Sequence, residues 1–196
     1  MIDTSNFRLI EANEEDILWV SKLETSVYSI NDAVPLNILQ GWYRTNPKGF
    51  YIAFDDHNNR VGHIDILPVK PTPLDNFVAG YITEQQIKPE DIYTPGQKEF
   101  IRNLYIESLA LKIPGNVLRA KALLSIISEI QGAIRGLCEK GRISSLYAIS
   151  ASKEGRKILE HLGFQIYSKK EERIDKHDLF RATFSTFMLK LNEIVR

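Results

Sequence analysis

Residues 102–124 read RNLYIESLALKIPGNVLRAKALL, an apolar run that gives way through Pro114 and Gly115 to a helical pattern. Residues 102–113 predict a buried strand. Beyond them Leu123, Ile126, Ile127, Ile130, Ile134 and Leu137 recur at helical spacing along the segment 117–140, the longest helix of the chain. Residues 142–149 predict the next strand. A strand, a long helix and a strand in that order favour parallel pairing, with the helix as a right-handed crossover. Ligands of such units tend to bind at the strand ends.

Downstream, residues 153–162 predict a short helix, 164–168 a strand, 169–178 a charged turn and 182–190 a last strand. Upstream, residues 7–12 predict a strand, and Asn13, Glu14, Glu15 and Asp16 supply a cap and first-turn carboxylates for a helix running to about Tyr28. After a turn at Asn31 and Asp32, Pro35 precedes a second helix carrying Leu36, Ile38, Leu39 and Trp42. Residues 49–55 and 60–69 flank the turn cluster 55–59 as a β-hairpin. Pro71, Pro73 and Pro89 punctuate an insertion at about 70–100, within which 77–82 reads as a short strand and 84–87 as a short helix. The fold class is α+β: a mixed, mostly antiparallel sheet flanked by helices, in one domain spanning 1–196.

Composition narrows the function classes. Twenty-five basic residues balance 25 acidic ones, so no overall field draws nucleic acid or an anionic membrane. The single cysteine, Cys138, rules out an internal disulfide and reads as a small apolar residue on a buried helix face. The amino terminus has no signal-peptide pattern and no stretch has membrane-span length, so the expectation is a cytoplasmic protein. No phosphate-cradling Gly-rich loop ending in Lys-Ser/Thr occurs, and no His pair has metal-ligand spacing, so neither phosphoryl transfer nor a metal is expected.

Three segments resemble the GNAT superfamily of N-acetyltransferases: YIESLAL at 105–111, PGNVLRAKALL at 114–124 and EGRKILEHLGF at 154–164. The resemblance implies acetyl-CoA as co-substrate, with the backbone of Leu109, Ala110 and Leu111 pairing with the pantetheine arm. It places Glu107 where many members carry an acid, and a carboxylate in a cleft can take a proton from an attacking amine. Tyr105, two residues earlier, is expected on the same face of the strand. The segment Asn116, Val117, Leu118, Arg119, Ala120 and Lys121 corresponds to the family's pyrophosphate loop, where backbone N–H groups at a helix start hold phosphate. Here the chain departs from the pattern. Gly115, Leu118 and Ala120 stand at the three diagnostic positions and only the last matches, so Arg119 and Lys121 become candidate sources of compensating charge.

On the closing helix, the positions where members often place an asparagine and a tyrosine fall on Ser152 and Leu159. The usual general acid is thus missing, and Tyr147 and Tyr167 are the candidates to replace it. The implied reaction is direct acetyl transfer to a primary amine of a small molecule or a protein, with no nucleic-acid or membrane partner and with a homodimer left open. Two alternatives stand beside it: a GNAT-fold binding or regulatory module that has lost turnover, and an acyltransferase using another acyl donor.

Overall fold

Asn13 opens the first helix reciprocally. Its side chain accepts from the backbone N–H groups of Glu15 (2.9 Å) and Asp16 (3.2 Å), while Asp16 accepts from the Asn13 N–H at 2.8 Å, which satisfies donors that a helix start leaves free. The computed structural model describes residues 7–29, 32–139 and 142–195. Asn31 of the expected turn, Lys140 at the expected end of the long helix and the first six residues lie outside them. The helix so capped, α1 (Glu14–Val27), follows strand β1 (Phe7–Glu11) and precedes α2 (Leu36–Thr45). The hairpin β2 (Phe50–Asp55) and β3 (Arg60–Leu67) comes next, then β4 (Asn103–Leu111), helix α4 (Asn116–Leu137) and β5 (Ser145–Ile149). Numbering α3 is kept for the insertion, Pro71–Val78. The chain continues through α5 (Lys153–His161), β6 (Gln165–Ser168), β7 (Leu179–Thr183) and α6 (Phe184–Val195).

The seven strands form one sheet in the order β1-β2-β3-β4-β5-β7-β6. All neighbours are antiparallel except β4 and β5, which run parallel on either side of the α4 crossover. Each face of the sheet carries its own core. On one, Ile126, Ile130 and Ile134 of α4 pack with Ile64, Ile66 and Phe187; on the other, Ile17, Val20, Leu39 and Trp42 pack with Phe50 and Ile52. Cys138 lies just past α4, 5% exposed, where burial pushes its thiol up to about 11.

Three expectations change. The segment 77–82 is not a strand: Phe77 and Val78 end α3, which begins at Pro71, where prolines suit a helical first turn because its N–H groups have no partner to lose. Residues 84–87, expected as a short helix, hold only a 3-10 turn, Glu84–Gln86. The last strand also stops early, at Thr183. Phe184, Phe187, Met188 and Leu191 recur at helical rather than alternating spacing, and α6 turns Phe187 and Leu191 into the core.

A β-bulge sets the site. Asp65 pairs with Ser108 but Ile66 pairs with Ile106, so Glu107 is the extra residue and alternation along β4 breaks there. Tyr105 and Glu107, which precede the break, both lie beside Glu84. Tyr105 enters the core beside Phe77, its ring centroid 4.7 Å from that of Phe77.

Candidate active site

Pairing between β4 and β5 ends at Ile106 and Ala148. Beyond it the strands separate, and a cavity of about 600 Å³ opens between them. Leu109, Ala110, Leu111, Arg119 and Ser152 all line it, as does Glu107. The β5-facing edge of β4 thus has main-chain groups with no strand beside them over the stretch where the cofactor arm was expected.

Asn116, Val117, Leu118, Ala120 and Lys121 do not line the cavity; Arg119 does, in the first turn of α4. Gly115 is its cap residue, with φ of 81° and no side-chain cap, so the first N–H groups of the helix have no capping partner. Glycine is needed here for that positive φ and not for close packing, since a Cβ would meet nothing within 4 Å. Asn116 is the first helical residue. Val117 and Leu118 stand 73% and 48% exposed, and Ala120 is exposed while Lys121 is half-buried. Arg119 folds back along the loop, donating from Nη2 to the Ile113 carbonyl at 3.2 Å.

The closing helix ends as its sequence implies. Phe164 N–H donates to the Leu159 carbonyl (2.9 Å) and Gly163 N–H to that of Glu160 (3.1 Å), with Gly163 at φ 83°, which is the double-bonded helix stop that needs a left-handed residue. Ser152 caps the other end by accepting from Gly155 N–H at 2.9 Å. Leu159 lines the cavity, so the position of the missing tyrosine is occupied by an apolar side chain.

The two replacement tyrosines are placed elsewhere. Tyr147 is buried on the opposite side of β5 and Tyr167 is exposed; their rings meet edge-on at 6.2 Å, and the Arg181 guanidinium lies over both. Neither lines the cavity. The phenol that does is Tyr28, at the end of α1, whose hydroxyl lies 3.2 Å from Ser108 Oγ and donates to the Leu109 carbonyl at 3.4 Å. Burial holds it protonated, well above its ordinary value.

The far end of the cavity is acidic. Glu107 is half-buried overall, but its Oε2 is closed off from solvent and has no hydrogen-bond partner. Burial first, then the carboxylates of Glu24, Glu84 and Asp65, push Glu107 well above the usual carboxylate range. Glu84, from the insertion, lines the cavity and accepts from the Tyr105 hydroxyl at 2.5 Å. Burial is also the main cause of its rise to about 8. At the rim His177 Nε2 and Asp32 Oδ1 are 2.9 Å apart.

Sequence reading missed Glu84, Tyr28, Ser108 and the Asp32–His177 pair. A turn within an irregular insertion carries no periodicity to mark Glu84, whereas Glu24 was detectable: it falls four residues after Val20 and seven after Ile17, on the apolar stripe of α1.

Glu84 makes the fold pH-sensitive. The folded state holds its proton up to about pH 8, against 4.5 for the ordinary group, so between these values the folded chain binds more protons and rising pH favours unfolding. Glu84→Gln keeps an acceptor for Tyr105 and removes that dependence. Urea titrations are expected to show the parent losing about 2 kcal/mol more stability than Glu84→Gln between pH 6 and pH 8; parallel curves would show that Glu84 ionises freely.

No family model matches the sequence, and no curated protein matches it. Solved structures do. The loading GNATL domain of CurA from Lyngbya majuscula superimposes over 91% of this chain and 98% of its own, at 13% identity and a TM-score of 0.66. A GphF GNAT-like decarboxylase, in complex with isobutyryl-CoA, covers 90% and 98% at 13% identity and 0.60. Ard1 from Thermoplasma volcanium covers 91% and 97% at 12% identity and 0.55. The shared architecture is the expected one, and this chain has the GNAT fold.

Proposed function

From this fold and the acid-lined cleft between β4 and β5, we propose that the protein is an acyl-CoA-dependent N-acyltransferase, with acetyl-CoA as donor and a cationic primary amine as acceptor. One observation carries the reading: a single cavity runs from Arg119 in the first turn of α4, a cation suited to phosphate, to the buried carboxylates of Glu107 and Glu84, suited to an ammonium group. The donor extends along the unpartnered edge of β4 at Leu109, Ala110 and Leu111, with its pyrophosphate against Asn116 to Lys121. Ser152 stands at the opposite wall.

Before the amine binds, burial and the neighbouring carboxylates bias Glu107 towards its protonated form. An entering ammonium supplies the missing opposite charge and draws the carboxyl back towards its ionised form, its proton leaving to solvent. Glu107 then accepts a proton from the ammonium, the freed nitrogen attacks the thioester carbonyl, and the C–N bond forms as the C–S bond breaks with its electron pair on sulfur. Coenzyme A leaves as thiolate, which at a reference pKa of about 8.5 needs little assistance. Tyr28 replaces Tyr147 and Tyr167 as the phenol able to protonate it.

Two of the similar structures are a loading domain and a GNAT-like decarboxylase, so a carboxylated acyl group is the competing substrate. The acidic end of the cavity opposes it: Glu107 and Glu84 offer a carboxylate no counter-charge, and Asp32 would meet it as a like charge. The test is thiol release from acetyl-CoA with a panel of mono- and diamines, with an acyl-CoA bearing its own carboxylate as comparison. Amine-dependent release that rises from pH 6.5 to 8.5 supports the proposal. Donor binding without release by any amine would make the protein a binding module, and release from the carboxylated donor alone would reverse the assignment.

Arg119 supplies a narrower test. Arg119→Ala is expected to weaken coenzyme A binding by about 1–3 kcal/mol and to affect pantetheine, which lacks the pyrophosphate, much less. Added salt should narrow the difference, because an exposed ion pair is screened. Equal losses for both ligands would mean that the substitution had disturbed the cleft as a whole.

A further inference from the structure

Behind the cavity wall lies a second cluster. His63 and Asp65 are two apart on β3 and share one face of the sheet, paired across the ladders with Ala110 and Ser108. Glu24 reaches them from α1. All three are at most 1% exposed. Asp65 Oδ2 is 3.1 Å from His63 Nδ1, while Glu24 Oε1 is 3.7 Å from His63 Nε2. Four polar atoms of the cluster have no hydrogen-bond partner: His63 Nε2, Asp65 Oδ1 and both oxygens of Glu24.

Native interiors seldom leave such atoms unpaired, and a buried group without a partner points to a bound ion or molecule. Among the described residues no lysine or arginine forms an ion pair with Glu24 or Asp65; Arg60, the cation nearest in kind, is held by Asp16. Two carboxylates and a neutral imidazole carry two negative charges, which one divalent cation balances. The candidate ligand atoms lie within 4.8 Å of one another. The 3.7 Å gap between Nε2 and Oε1 is too long for a hydrogen bond, but two metal bonds of about 2.0–2.1 Å meeting at an open angle span it. On the other side of the ring, Asp65 at Nδ1 is placed as carboxylates are that fix the tautomer of a metal-bound histidine.

We propose that Glu24 and His63 Nε2, with Asp65 fixing the ring at Nδ1, bind a divalent metal ion of the zinc class, taken up as the chain folds and joining α1 to β3 behind the cleft. Nitrogen and oxygen donors in a small buried set suit zinc better than calcium or magnesium, which take more oxygens. The sequence carries no His pair at ligand spacing because the set uses one histidine and two carboxylates from two distant elements. The site is independent of the acyltransferase reading, since no ligand of the ion lines the cavity.

The experiment strips the whole chain with EDTA, then adds zinc chloride or cobalt chloride at fixed pH. One equivalent of zinc should bind, and the melting temperature should rise by roughly 5–10 °C at a hundredfold excess over Kd. Cobalt should give a visible absorption band. Glu24→Gln preserves shape, so it should fold yet lose the zinc-dependent rise, and His63→Asn should lose the cobalt band. Zinc binding of equal affinity in parent and Glu24→Gln would place the ion on the exposed histidines and overturn the proposal. So would an unchanged melting temperature with no cobalt band, which would leave the three side chains sharing protons alone. If His63→Asn does not fold, Glu24→Gln decides.

Discussion

Glu107→Gln is expected to lower acetyl transfer at neutral pH by about 10²–10⁴-fold while acetyl-CoA affinity stays nearly unchanged, the range for loss of a general base. The reasoning starts at the bulge. Glu107 is the extra residue between Ile106 and Ser108, and it lines the cavity just where β4 leaves β5. Its carboxyl is raised by burial and by three neighbouring carboxylates, so turnover by the parent should climb with pH as the ionised fraction grows. The Gln variant should lack that climb. Steady-state rates between pH 6 and pH 9 check both effects, with circular dichroism confirming the fold. Equal rates and equal pH profiles would make Glu107 structural.

The second large effect concerns stability. Arg173 is 1% exposed in the loop between β6 and β7, and it ties that loop to the insertion. Its Nη1 donates to the carbonyls of Phe77 (2.8 Å) and Val78 (3.2 Å), its Nε donates to Asp175 Oδ1 at 3.0 Å, and Nη2 binds the other oxygen of the same carboxylate. The guanidinium also lies 4.9 Å from the centre of the Phe77 ring. Removing one partner of a buried pair leaves the other charge unpaired, so Arg173→Ala is expected to cost about 3–5 kcal/mol in urea unfolding. The same loop carries His177 to Asp32 at the cavity rim, so the acceptor KM should rise as well. A loss below about 1 kcal/mol would show that water replaces these bonds.

The central half of the fold was readable because its signals are local and strong. The α4 stripe from Leu123 to Leu137, the Gly163 helix stop and the β4–α4–β5 order each rest on spacing within one element, and all three are found. At residues 184–191 the apolar run reads as strand only by composition; its spacing is helical, and Phe187 and Leu191 pack in the same core as α4. Between β3 and β4 the 3-10 turns follow no period. Glu107 is singled out by the family resemblance, whereas the bulge beside it arises from pairing with β3, which one strand's sequence does not display. Tyr147 and Tyr167 were chosen by nearness in sequence to the closing helix; the sheet turns Tyr147 to the opposite core and leaves Tyr167 outside, while Tyr28 arrives from an element far away in the chain. Contacts of that kind leave no mark in spacing.

Calorimetric titration with acetyl-CoA tests the account most directly, because every role assigned to the cleft depends on that ligand. A 1:1 isotherm with Kd below about 1 mM, weakened by Arg119→Ala and retained by Glu107→Gln, is the predicted result. No heat of binding at millimolar acetyl-CoA, from protein shown to be folded, would contradict it.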